Sequence, residues 1–290
     1  MAAPPTQTAV ILLCCPGPLA RKGVVVSISN FILAHKGSIL YTDDYQDSAL
    51  DLFLSRLEWD LDGFDIPMED FDRHFQPVAG RFLIQYQVAL SAYRPKVAIL
   101  VSSYDHCLAD LLYRHRTGEL ACEIPVIISN HTTGQPLAEF YGIPFHAITD
   151  AKDKSEAEQR ILASLRQHGI DLIVLARYMQ ILSPEFVQQF PWRIINIHHS
   201  FLPAFVGSRP YHQAFERGVK IIGATSHYVT ADLDEGPIIE QDVVRVSHRD
   251  TVEDLIQKGR DLEKVVLSRA VRWHIENRIL LYANKTVVFT

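Results

Sequence analysis

Four mostly apolar runs constrain this chain more than any other feature: Val97 to Val101, Ile124 to Ile128, Leu172 to Ala176 and Ile194 to His198. The first three do not alternate apolar with polar residues, and the fourth turns polar only at Asn196 and His198, so each reads as a strand covered on both faces. Strands of that kind belong to a parallel sheet flanked by helices. Helices separate the runs, and one opens with Ser155 and Glu158, spaced as a capping box ahead of Ile161, Leu162 and Leu165. The pattern then changes. Ile221 to Val229 and Ile238 to Val246 read as an antiparallel edge, Thr251 to Asn277 as a long helix, and Thr286 to Phe289 as a small closing strand after an Asn284-Lys285 turn.

The first ninety residues follow a different rhythm. Thr8 to Leu13 is a short apolar run ended by Cys15-Pro16-Gly17-Pro18. Val24, Ile28, Phe31 and Ile32 recur at helical spacing, with Gly37 placed as a C-cap. Ser38 to Thr42 and Leu50 to Trp59 read as strands on either side of the polar Asp43-to-Asp47 stretch. Pro67 opens a second helix through Met68, Phe71, Phe75, Val78 and Phe82, and Ile84 to Leu90 alternates as a strand. The order is βαββαβ, a ferredoxin-like unit. Ser91 to Pro95 breaks the pattern, so the sequence divides into 1–93 and 94–290, an α/β chain whose second part is Rossmann-like.

Bulk properties narrow the function classes. At 290 residues the chain is long enough for two cores. Its formal charge of −6 comes with no basic run, which disfavours nucleic acid as a partner. No stretch approaches the ~20 apolar residues of a membrane span, and Met1 to Cys15 lacks the marks of a signal peptide. Cys14, Cys15, Cys107 and Cys122 have no zinc-ligand spacing and read as reduced thiols of a cytoplasmic protein.

The chemistry concentrates at the end of the last run. Asn196 and His198 are two apart on a strand and share a face. A carboxamide beside an imidazole supplies what acyl transfer needs, a donor for a developing oxyanion and a group that moves a proton. The pair falls at the C-terminal end of a parallel strand, where open α/β sheets bind their ligands. An irregular stretch, Leu202 to Pro210, follows it. Asp232, Asp234 and Glu235 then supply carboxylates on a second loop; a solvated turn accounts for Asp232 and Glu235 and leaves Asp234 undetermined. Asp234 has two open roles, holding the imidazole in its working tautomer or positioning a water. The histidines and carboxylates form no ligand cluster at zinc spacing, so no metal is expected.

The stretches Ile194 to Pro203, Gly223 to Val229 and Asp234 to Ile239 resemble the formyltransferase family, over residues 94 to 290. The double histidine His198-His199, the run Ser200 to Phe205 and the segment Arg209 to Ala214 are most similar to members that hydrolyse 10-formyltetrahydrofolate to formate and tetrahydrofolate, enzymes of one-carbon metabolism and purine biosynthesis. The resemblance implies Asn196 as oxyanion donor, His198 as general acid/base and Asp234 as third catalytic residue. It implies a folate pocket along Ala176 to Ser183, with Met179, Gln180, Ile181 and Leu182 on one side and Val229 to Asp234 on the other, His227, Val229 and Asp232 being the implied contacts. Without it, Met179, Ile181 and Leu182 read as core packing after a strand. Folate is then the substrate, and no separate cofactor is implied.

The alternative is a transferase that passes the formyl group to an amine. Nucleotide-accepting relatives carry a glycine-rich turn for the acceptor's phosphate where this chain has Ser102-Ser103-Tyr104-Asp105-His106, bulky and acidic. That favours water as nucleophile. His106 reads equally as a pocket residue or a polar helix start, and His199 alternates away from His198 on an ideal strand. A third reading, an amino-acid sensor with a dead catalytic domain, sits badly with the intact Asn196, His198 and Asp234. Residues 1–93 resemble an ACT domain, which implies a homo-oligomer. The first turn lacks that domain's usual acidic residue, so an amino-acid effector and a purely structural role both stay open.

Overall fold

The computed structural model describes residues 7–20, 22–204 and 209–290. Phe205, residues 206–208 of the irregular stretch, and Arg21 of the first turn lie outside the described residues. The chain divides into two units. The first runs to Tyr93 and includes Glu276–Tyr282 and Val287–Thr290; the second comprises Arg94–Ile275 and Ala283–Thr286. The tail expected to belong wholly with residues 94–290 is therefore shared between the units.

In the first unit, β1 (Thr8–Pro16), β2 (Ser38–Asp47), β3 (Leu52–Asp60) and β4 (Gln85–Leu90) form an antiparallel sheet in the order β2-β3-β1-β4. A single turn, α1 (Gly17–Ala20), precedes α2 (Val24–Ala34), and α3 (Phe71–Phe82) follows a 3₁₀ turn at Met68–Asp70. Alternate residues of β1, Ala9, Ile11, Leu13 and Cys15, pack with Val24, Ile28 and Ile32 of α2 and Phe71 and Phe75 of α3. Trp59 and Phe71 stack at 5.5 Å, and Phe71 stacks on Phe75 at 5.3 Å. Each such buried ring contributes about 1.5–3 kcal/mol. On the opposite sheet face, Leu12 and Leu54 meet Leu280, Tyr282 and Phe289, which explains why the tail belongs here.

Two local expectations change. The polar Asp43-to-Asp47 stretch is strand, paired with β3 out to Asp47 opposite Leu52. It lies on an edge strand where Asp43 to Gln46 are exposed or half-buried, so their polarity carries no penalty, and the buried Asp47 carboxylate accepts from the Ala49 and Leu50 amides and the Tyr282 hydroxyl. Helix α2 ends at His35, and the left-handed residue is Lys36 (φ 62°). Gly37 serves close approach instead: a Cβ there would sit 2.6 Å from the Ile32 side chain.

The second unit has a seven-stranded sheet. Its strands are β5 (Lys96–Val101), β6 (Glu123–Ser129), β7 (Phe145–Ala147), β8 (Leu172–Leu175), β9 (Ile194–His198), β10 (Ile221–Tyr228) and β11 (Ile238–Arg245), ordered β11-β10-β9-β8-β5-β6-β7. Pairings from β7 through β9 are parallel, while β9–β10 and β10–β11 are antiparallel. The helices are α4 (His106–Arg116), α5 (Gln135–Phe140), α6 (Lys154–His168), α7 (Pro184–Val187), α8 (Pro210–Arg217) and α9 (Val252–Ile275). Strand order reverses direction around β5, which leaves a crevice at the carboxyl ends of β5 and β8. Among the described residues no helix is long and apolar enough to cross a membrane.

The expected capping box is displaced. Asp153 caps α6 by accepting from the Glu156 amide, so Ser155 and Glu158 lie inside the helix. Glu158 instead accepts from the Ser183 amide at 2.8 Å. It braces the far end of the loop after β8. The tail closes as β12 (Ile279–Tyr282) paired with β13 (Lys285–Val288), one residue earlier than the expected closing strand.

Candidate active site

The register of β9 against β10 sets His198 opposite Thr225 and Asn196 opposite His227. Thr225 is fully buried; its hydroxyl donates to the Ser200 carbonyl and accepts from the Leu202 amide and the Gln241 side chain. Those bonds fix the chain as it leaves β9. Beyond β10, Asp234 adopts a left-handed backbone (φ 57°), a conformation that aspartate tolerates better than most residues. Gly236 lets this loop fold onto β10, because a Cβ there would stand 1.7 Å from the Tyr228 carbonyl oxygen.

The result is a convergent group. His198 Nδ1 lies 3.2 Å from Asp234 Oδ2, and His227 Nε2 lies 3.6 Å from Oδ1. Hydrogen bonding from His198 is the foremost cause holding the Asp234 carboxyl well below the usual carboxylate range. An ionised Asp234 accepts from Nδ1–H, which leaves Nε2 of His198 as the reactive nitrogen. That atom is buried and has no hydrogen-bond partner among the described residues. Buried polar atoms are nearly always satisfied, so an unpartnered one marks a place where a ligand bonds.

Asn196, His198 and Asp234 border one cavity of about 350 Å³. Met179, Gln180, Ile181, Leu182, His227, Val229 and Asp232 border it as well, so the implied catalytic and pocket residues meet the same space, whereas Glu235 and His106 do not border it. Met179 and Ile181 are 51% and 60% exposed, too open for core packing, whereas Leu182 is buried in the apolar cluster under β8. The loop starts at Arg177, left-handed at φ 62°. Ser102, at the end of β5, then holds it: the hydroxyl accepts from the Met179 amide (2.9 Å) and donates to Asn130 (2.7 Å).

Arg177, Thr230, Ala231 and Leu233, which lie in the stretches Ala176 to Ser183 and Val229 to Asp234 implied to form the pocket, border the cavity too. Leu175 and Ile197 also border it and were legible in the sequence only as strand residues.

A second polar group lies behind His199. Glu263, almost wholly buried on α9, accepts from His106 Nε2 (2.7 Å) and the Tyr211 hydroxyl (2.7 Å), with Arg177 Nε at 3.4 Å. Burial opposes ionisation of Glu263, but His106, Arg177 and Tyr211 outweigh it and hold its carboxyl low. His106 thus settles as a helix-start residue tied to α9. Its ring and Cys107 lie with Glu263 close enough to share a cation, the one such group among the described residues. The donor set does not fit one: both Glu263 oxygens already take N–H or O–H donors, a guanidinium adjoins, and burial pushes the Cys107 thiol well up.

His199 departs from expectation. The strand ends at His198, so alternation stops there, and the two imidazoles stack at 5.4 Å. Burial, then the nearby Arg177, push the His199 imidazole down to about 4. The unfolded chain therefore binds more protons than the folded one between about 4 and ~6.5, and stability falls as pH drops through that window. His199→Gln is expected to flatten this loss, read as a smaller fall in the urea midpoint between about pH 7 and about pH 5.

The formyl transferase family model matches residues 95–271, more than half of the chain, so the chain carries the formyl transferase fold. A formyltetrahydrofolate deformylase from Synechocystis is 54% identical over 283 residues, covering 97% of this chain and 98% of its own. The crystal structure of a formyltetrahydrofolate deformylase from Pseudomonas syringae superposes with a TM-score of 0.94 at 44% identity, covering 100% of this chain and 96% of that one. A glycinamide ribonucleotide transformylase from Symbiobacterium toebii reaches a TM-score of 0.66 at 32% identity, covering 69% of this chain and 97% of its own. The chain belongs to the formyltetrahydrofolate deformylase family.

Proposed function

We propose that the protein hydrolyses 10-formyltetrahydrofolate to formate and tetrahydrofolate. One observation carries the reading: the unpartnered Nε2 of His198 borders the same cavity as the Asn196 carboxamide and the ionised Asp234. With the formyl oxygen at the Asn196 amide and His198, a water beside Asp234 adds to the formyl carbon. The new C–O bond forms as the water loses a proton. The C–N bond breaks as the folate nitrogen takes one, with His198 and Asp234 moving the protons. Formate, tetrahydrofolate and one proton result, with no cofactor or metal in the sequence of steps.

The turn after β5 supports water over an amine. His106, at the start of α4, is bonded through its ring to the buried Glu263, so an imidazole tied to a carboxylate stands at the turn where an acceptor's phosphate needs close backbone approach. The longer coverage of the deformylase neighbours points the same way. We read the first unit, βαββαβ in element order, as an ACT module that pairs copies of the chain into a homo-oligomer. Its first turn lacks an acidic residue, which favours a structural over an effector role.

The loop after β8 forms the folate side of the cavity. Ser102→Ala leaves the Met179 amide unsatisfied, a cost of about 1–3 kcal/mol. The variant is expected to raise KM several-fold with kcat nearly unchanged in steady-state assays. The assignment itself is tested by incubating the protein with 10-formyltetrahydrofolate alone. Equal amounts of formate and tetrahydrofolate support it, and turnover that requires an added amine sinks it.

A further inference from the structure

His227 is 2% exposed and lies directly across from Asn196 in the β9–β10 pairing. The pairing of β10 with β11 shifts register between Ser226 and His227, an irregularity of the kind that re-aims a side chain. Both ring nitrogens meet protein atoms. Nδ1 is 3.0 Å from the Tyr228 carbonyl oxygen. A carbonyl only accepts, so Nδ1 carries a proton. Nε2 is 3.2 Å from Asn196 Nδ2, and 3.6 Å from Asp234 Oδ1, which is too long for a hydrogen bond. With Nδ1 donating to a carbonyl, the neutral ring has Nε2 as its accepting nitrogen, and the Asn196 NH₂ is the donor that fits it.

We infer that His227 is a positioning residue for Asn196: as the neutral Nδ1–H tautomer it accepts one N–H of the carboxamide and thereby fixes which end of that amide faces the substrate. A carboxamide is nearly symmetric in shape, so packing alone barely distinguishes its oxygen from its nitrogen. A hydrogen-bond acceptor at Nε2 does. It keeps the NH₂ end at His227 and leaves the second N–H for the formyl oxygen. With a proton on Nε2, the Asn196 oxygen would turn toward the ring instead. The role rests on the proposed hydrolysis and deepens it.

The test uses the full chain. In ¹⁵N-histidine-labelled protein, His227 is expected to show a protonated Nδ1 and a bare Nε2 at neutral pH. This readout does not depend on activity. His227→Phe, which keeps the bulk and removes the acceptor, is expected to lower kcat about 10–10²-fold, the scale of a misplaced catalytic group, with KM little changed. His227→Gln, whose side-chain oxygen reaches the Nε2 position, is expected to recover part of that loss. In an Asn196→Ala background, His227→Phe is expected to add almost nothing, because coupled residues are not additive. An imidazolium or Nε2–H tautomer, equal losses in Phe and Gln, or a full additional loss in the Asn196→Ala background would each overturn the inference. If instead wild-type protein releases no formate, or Asn196→Ala alone is harmless, the hydrolase reading has failed and not this refinement of it.

Discussion

His198→Asn is expected to lower kcat by about 10²–10⁴-fold, the usual contribution of a positioned acid/base group. The Nε2 atom is the unpartnered nitrogen at the cavity, and no described residue stands ready to replace it. His199 is the nearest imidazole, yet burial and Arg177 keep it neutral, which makes it a poor proton donor. Folate affinity, measured by equilibrium binding of a non-hydrolysed analogue, is expected to change little. Asn196→Ala is expected to show the same split, with kcat down about 10²–10³-fold as for other lost oxyanion donors. A His198 variant with near-normal kcat would remove the residue from the mechanism.

Gly236→Ala is expected to cost both stability and activity. The added methyl would stand 1.7 Å from the Tyr228 carbonyl, a backbone atom in β10 that cannot swing aside. Relief has to come from moving the loop, and the loop carries Asp234 two residues earlier. Overpacking of this kind costs about 1–3 kcal/mol, and an ångström of misplacement at a catalytic group costs on the order of 10²-fold in rate. The expected result is a lowered Tm together with a kcat approaching that of Asp234→Asn. A variant with lowered Tm and undisturbed kcat would show that the loop relaxes without moving the carboxylate.

The legible parts of this molecule are those in which local pattern and tertiary environment agree. Ile194 to His198 appears as a strand with the bounds read from its sequence, because Ile194, Ile195 and Ile197 are buried in the sheet while Asn196 and His198 turn to the site. The site residues were legible for a related reason: alternation on β9 puts Asn196 and His198 on one face, and both border the cavity. Other features depend on partners far along the chain. His106 reaches Glu263 across 157 residues, and no local spacing announces that bond. The polar half of β2 was legible only as a loop, since edge strands tolerate sequences that the interior rejects. Ser155 and Glu158 fit a capping box, but Asp153 began the helix earlier and freed Glu158 to hold Ser183. The left-handed backbones at Arg177 and Asp234 had no glycine to signal them, although both lie in the loops that border the site.

In the proposed reaction, water activated beside Asp234 adds to the formyl carbon. A single turnover of 10-formyltetrahydrofolate in ¹⁸O-water, with the formate analysed by mass spectrometry, tests it most directly. Formate carrying at least one ¹⁸O is expected, formed without any amine in the mixture and about 10²–10³-fold more slowly in Asn196→Ala. Unlabelled formate, or a formyl group that leaves the folate only when an amine acceptor is supplied, would contradict it.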